Sequence, residues 1–281
     1  LLHAPSKPLA ALASDPELAD GLRRGLLLGL ATLALVLPPS VKLGPAGADG
    51  VGRTAAPAAA ATAGPRYADF DADPASPPPS ADVRHVADWV ADSGDHAGLG
   101  FVIVDKQHAM VHVFDAQARR VAASPALLGS ARADHTVPGI GQRPLEQVLP
   151  EERTTPAGRF VAERGRNTLG EDVVWVDYDA AVSIHRVRTT TPSERRLQRL
   201  ASPTIDDNRI SYGCINVPVA FFEAHVAPLF ASHRAVVYVL PEVWPVQAVF
   251  GSHDVRARQA LASELTHVDR TFPRLAIDRR R

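Results

Sequence analysis

Between residues 101 and 240 the chain is a series of short apolar runs rich in β-branched residues, each set apart by turn-forming residues. The runs are 101–105, 109–115, 121–128, 159–163, 173–178, 181–185 and 235–240. Runs this short, bounded by Gly, Pro, Asp and Asn, predict strands rather than helices. Few helical patterns interrupt them, so the fold class expected is mainly β, a sandwich or barrel with one or two short helices. Ser80 is a candidate N-cap for a helical lead-in over 80–98, in which Val83, Val86, Ala87 and Val90 recur at helical spacing. Pro218 suits a first helical turn, with a helix continuing over 219–229 and broken near its end by Pro228. An amphipathic helix is expected over 254–268, ahead of the basic end Arg279, Arg280 and Arg281.

The flanks read differently. Arg23 and Arg24 precede an uncharged run over 25–37, which has the length of a signal h-region and is short for a membrane span. Ala46-Gly47-Ala48 offers a cleavage site, so 1–48 is read as an export signal or signal anchor. This places the protein in the periplasm or cell envelope, tethered to the membrane through 25–37 if uncleaved. Residues 49–79, rich in Ala, Pro and Gly, read as a flexible linker without a core. The net charge of −1 gives no general attraction to nucleic acid.

Cys214 is the only cysteine of the 281 residues and lies in Ile210-Ser211-Tyr212-Gly213-Cys214-Ile215-Asn216. A single Cys in an exported chain forms no internal disulfide, and a nucleophilic thiol is the leading explanation. Gly213 lets the backbone approach a substrate or adopt positive φ. A thiolate needs a base, and the candidates are His185, His225, His233, His135, His112 and His108. His185 ends a strand-like run, fixed by the scaffold yet open to solvent. His112, inside a strand, reads as an outward polar residue. One Cys and scattered His give no zinc spacing, and no phosphate-cradling glycine loop is present, so no metal or cofactor is expected.

His185, a spacer and Ser211-Tyr212-Gly213-Cys214-Ile215-Asn216 together resemble the signature of the L,D-transpeptidase (YkuD-like) catalytic domain. That signature is a His, a spacer, then Ser/Thr-His-Gly-Cys-hydrophobic-Asn. Thr155-Pro156-Ala157-Gly158-Arg159-Phe160 resembles the family's Thr-Pro-x-Gly-x-Phe turn. Residues 101–114, Leu128-Gly129 and 236–239 resemble its opening hairpin, an early strand end and its closing strand. The resemblance covers about 99–242 and leaves 243–281 as a C-terminal helical extension with a basic tail. Two departures stand out: Tyr212 replaces the second family His, and the spacer from His185 to Ser211 is long, about 25 residues.

The resemblance implies cysteine-dependent acyl transfer on peptidoglycan stem peptides, making 3-3 cross-links or related linkages through a thioester on Cys214. His185 would be the base, and backbone N–H groups around Tyr212, Gly213 and Cys214 would hold the oxyanion. Ser211 would orient His185 or shape the turn. Arg209 and Asn216 are the substrate-side candidates, Asn216 chiefly as a brace of the loop. Arg186, Arg188, Arg195, Arg196, Arg199 and Arg209 make the spacer either a lid that engages stem carboxylates or, over 193–200, a solvated basic helix. The loop 129–153 either lines the donor pocket or covers a sheet edge. The alternatives are an L,D-carboxypeptidase, a cysteine hydrolase of other envelope amides, and a catalytically degenerate peptidoglycan-binding module.

Overall fold

The computed structural model describes residues 64–231 and 233–271. The export segment, the linker through residue 63 and the basic end 279–281 lie outside the described residues. Among the described residues, no helix is long and apolar enough to cross a membrane.

The protein is mainly β. Ten strands are present among the described residues: β1 (Phe101–Asp105), β2 (Met110–Phe114), β3 (Arg120–Pro125), β4 (Leu128–Gly129), β5 (Gly158–Arg166), β6 (Asp172–Asp177), β7 (Val182–Arg186), β8 (Arg209–Ser211), β9 (Ile215–Val217) and β10 (Ala235–Val239). Eight form one sheet in the order β3-β2-β1-β10-β5-β6-β7-β9, and β4 pairs with β8 in a second. The edges of the large sheet are drawn together. Leu127, just past β3, exchanges backbone hydrogen bonds of 2.8 and 2.9 Å with Asn216 in β9. The sheet is thereby nearly closed around a core that includes Val102, Val111, Val174, Ile184, Ile215 and Phe222.

The opposite face carries helix α1 (Ala81–Ser93). Ser80 Oγ accepts the Val83 N–H at 3.2 Å, and Gly94 ends the helix at φ 70°. Val83, Val86, Ala87 and Val90 all pack into a second core with Phe101, Ile103, Phe114, Val236 and Tyr238. Burying each of the larger side chains contributes about 1.5–3 kcal/mol. β1 is thus covered on both sides, which is why its sequence is an unbroken apolar run rather than an alternation. Among the described residues, the short segments α2 (Arg196–Leu200), α3 (Val219–Phe221), α4 (Ala227–Leu229) and α5 (Val246–Phe250) lead to the long α6 (Val255–Thr271).

The structure departs from the sequence expectations at several places. The strand expected over 121–128 is two strands, because Leu127 leaves β2 to bond Asn216 across the gap. β8 and β9 were not expected; three residues each are too short to show a period. The helix over 219–229 runs through Pro228 by widening into a π turn, Phe222–Val226. Pro228 has no N–H for the preceding turn, and a wider turn accommodates that loss. Residues 64–79 are not a free linker. Ala68 and Phe70 are buried, Asp69 exchanges backbone hydrogen bonds with Ala118 and Arg120, and the Arg120 guanidinium donates to the carbonyls of Pro77 and Asp73 at 2.9 and 2.8 Å. His112, expected to face outward, is buried. The 64–79 segment packs over that end of the sheet, and burial holds the imidazole neutral, pushing its pKa down to about 4. The C-terminal extension docks on α1 through Arg256 and Asp88 at 2.8 Å.

Candidate active site

Strand register builds the site. β7 and β9 run parallel with His185 opposite Asn216 and Ile184 opposite Ile215. One step back along both strands sets Cys214 beside Ser183. Successive side chains point to opposite faces, so Ile184 and Ile215 enter the core while Ser183, His185, Cys214 and Asn216 share the other face. The hydroxyl of Ser183 lies 3.6 Å from Cys214 Sγ, as does the carbonyl of Ala181. Ser183 was missed at the sequence level, although its position two residues before His185 on a strand was the signal that would have found it.

The turn carrying the thiol is held from three directions. Gly213 adopts φ 137°, and a Cβ there would stand 2.7 Å from the Thr154 carbonyl oxygen. Ser211 Oγ accepts the Gly213 N–H at 3.0 Å and donates to the Cys214 carbonyl at 2.6 Å. Ser211 therefore shapes the turn. Thr155, from the Thr-Pro-Ala-Gly segment, donates its hydroxyl to the Gly213 carbonyl at 2.8 Å and accepts the Gly129 N–H at 2.9 Å. Gly129 itself must be glycine, since a Cβ would lie 2.4 Å from the Arg153 carbonyl oxygen. Behind Thr155, the fully buried Lys106 ammonium donates to the Thr155 carbonyl at 2.9 Å and pairs with Asp134 at 3.0 Å.

The electrostatics couple the thiol and the imidazole. Burial pushes the Cys214 thiol up, but the hydrogen bond and charge of His185, with help from Ser183, outweigh it and bring the thiol below its ordinary range. Burial likewise pushes His185 down, and Cys214 more than reverses this, so the imidazole holds its proton more tightly than usual. Nδ1 of His185 lies 2.8 Å from the Arg186 carbonyl. An Nδ1–H donated there leaves Nε2 for the proton exchanged with the thiol.

Cys214 and His185 open into a cleft of about 420 Å³, with Ser183 and Trp175 on the same wall. None of the other five candidate histidines lines it. The long spacer does: Arg188, Thr190, Thr191, Glu194 and Arg196 form one side. Leu145 of the 129–153 loop lines another part, so that loop contributes to the cleft. Tyr212 lines it too, 40% exposed, with the Arg153 guanidinium 4.2 Å above its ring. Asn216 is fully buried, and its side chain is engaged at both ends, by Arg196 at 2.6 Å and by the Cys214 carbonyl at 3.1 Å. Arg209 does not reach the cleft. Its guanidinium is buried against Glu242 at 2.6 Å and the Lys106 carbonyl at 2.7 Å, because a charge removed from water must be paired.

No protein-family model matches the chain, and no curated protein matches it. Solved structures do. An L,D-transpeptidase, LdtMt1, in complex with imipenem is similar at 16% identity and a TM-score of 0.30, over 50% of this chain and 58% of that one. An L,D-transpeptidase from Mycobacterium smegmatis is similar at 15% identity and 0.30, over 50% and 58%. Bdellovibrio bacteriovorus Bd1075 is similar at 14% identity and 0.33, over 59% and 55%. The chain thus spans little more than half the length of these structures, and likeness of this size assigns no activity and no residue role.

Proposed function

We propose that the protein is a cysteine acyltransferase acting on peptidoglycan stem peptides, with Cys214 as nucleophile and His185 as base. The observation that supports this best is the pairing of the lone thiol with an imidazole in an open cleft, each shifting the other toward the thiolate–imidazolium form.

In this reading the Cys214 thiolate attacks the carbonyl of the third residue of a tetrapeptide stem. The C–N bond to the terminal D-Ala breaks, and its nitrogen leaves with the proton that His185 carries. A thioester on Cys214 remains. The side-chain amine of a second stem then attacks it, gives a proton to His185 and releases the thiolate, completing a 3-3 cross-link. Water as acceptor gives the L,D-carboxypeptidase outcome. The Gly213 N–H is engaged by Ser211, so the oxyanion draws on the N–H groups of Tyr212 and Cys214. Arg188 is the arginine best suited to a stem carboxylate, since it lines the cleft and its pairing with Glu171, at 3.5 Å, is loose. Arg209 has no part in this. Export to the envelope, where such stems are found, belongs to the same reading.

The test is mass spectrometry of tetrapeptide muropeptides incubated with the protein, beside Cys214→Ala. A dimer lacking one D-Ala, formed by the wild type alone, is the expected result. Tripeptide alone identifies the carboxypeptidase. Unchanged tetrapeptide, with an intact fold, refutes the substrate class.

A further inference from the structure

We propose that Arg196 is a positioning residue that ties the long spacer, through Asn216, to the loop that carries the nucleophile. The proposal rests on the reading of Cys214 and His185 as a nucleophile–base pair.

Arg196 starts α2, yet its side chain is only 15% exposed and lines the cleft. Arg195 before it sits at φ 50°, a left-handed conformation uncommon for a residue with a Cβ, and so turns the chain sharply just before this side chain. Nε of Arg196 donates to Glu194 at 2.5 Å, and Nη1 donates to Asn216 Oδ1 at 2.6 Å. Nδ2 of Asn216 then donates to the Cys214 carbonyl at 3.1 Å, where the Ser211 hydroxyl also donates at 2.6 Å. Guanidinium, amide and nucleophile peptide are thus in series. A charged donor on Oδ1 polarises the amide and strengthens its far N–H. The Asn216 backbone is fixed to Leu127 from both sides, so its buried amide has little freedom to seek another partner.

The same guanidinium acts on His185. On one side of the imidazole the charges offset one another: Glu171 with Arg188 at 3.5 Å, and Asp172 with Arg186 at 3.8 Å and with Arg164 at 2.7 Å. On the other side stand Cys214, Glu194 and Arg196, and Arg188 borders this side as well. Burial and, as the smallest influence, Arg196 oppose the protonation of His185 that Cys214 and the Arg186 carbonyl favour.

The experiment follows the rate of Cys214 alkylation by iodoacetamide against pH in the full chain, with kcat and KM on tetrapeptide stems, for wild type, Arg196→Met and Arg196→Lys. Arg196→Met is expected to move the upper limb of the alkylation profile, where His185 loses its proton, to higher pH. It should lower kcat about 10- to 100-fold, as for a slightly misplaced nucleophile, with KM little changed. Arg196→Lys should return the limb toward the wild type because it restores the charge, and it keeps the question answerable if the Met variant does not fold. An unmoved limb and wild-type kcat in Arg196→Met, or a Lys variant as displaced as the Met variant, overturns the proposal. A wild-type thiol no faster than free cysteine overturns the nucleophile–base reading and this proposal with it. Fast alkylation without turnover of tetrapeptides refutes only the substrate class, and the limb shift then decides the role of Arg196.

Discussion

Gly213 and Thr155 show how narrowly the thiol is placed. Gly213→Ala puts a Cβ against the Thr154 carbonyl and a side chain at φ 137°, a conformation that costs about 1–3 kcal/mol before any clash. The expected outcome is a lower Tm and loss of rapid Cys214 alkylation, read by calorimetry and mass spectrometry. Thr155→Val removes one group from two hydrogen bonds and leaves the Gly129 N–H and Gly213 carbonyl short of a partner. Each such orphan costs about 1–3 kcal/mol, and kcat should fall further than stability alone explains. His185→Ala removes the main influence that lowers the thiol. Its alkylation profile should move up toward the ordinary thiol range, and turnover should fall by about 100-fold or more. An unmoved profile would place the base elsewhere.

At the level of elements, the sequence showed the site's parts but not what joins them. The order of the Thr155–Phe160 turn, His185 and the Cys214 segment was legible through its resemblance to a known motif order, while the lone thiol and the glycine before it stood out by residue type alone. β8 and β9 were not legible, since strands of three residues draw their stability from neighbours distant in sequence. Arg209 illustrates the same limit. Adjacency to the motif suggested a substrate contact, whereas its fate was set by Glu242, which closes a buried ion pair from beyond β10. His112 was read from its strand alone, and the covering by residues 64–79 reversed its environment. This gives a test of the pH response. The folded pKa of His112, about 4, lies below its ordinary 6.5, with Asp105, Asp73, Arg120 and His108 as the charged groups acting on it. The unfolded chain therefore takes up the proton first. The stability from keeping His112 neutral is complete above about pH 6.5 and is lost as pH falls toward 4, by about 3 kcal/mol over that window. Denaturant titrations at pH 7 and pH 4.5 should show this loss in the wild type and a smaller one in His112→Gln.

On the scale of the whole molecule, the nearly closed sheet needs both of its flanks. Residues 64–79 cover one end through Phe70 and the carbonyls that hold Arg120, and α6 clasps α1 through Arg256 and Asp88. A chain starting at Ser80 should therefore have a lower Tm than one starting at Gly64; equal melting would show that the segment is dispensable. The long spacer, braced by Arg196, makes the cleft wall part of the fold rather than an appendage. The central claim, that Cys214 takes the acyl group of a stem peptide, is tested most directly by intact-protein mass spectrometry after brief incubation with tetrapeptide and acid quenching. The expected result is a covalent increment equal to the acyl tripeptide fragment, mapped to Cys214 and absent from Cys214→Ser. An unmodified wild-type protein together with unchanged tetrapeptide would contradict it.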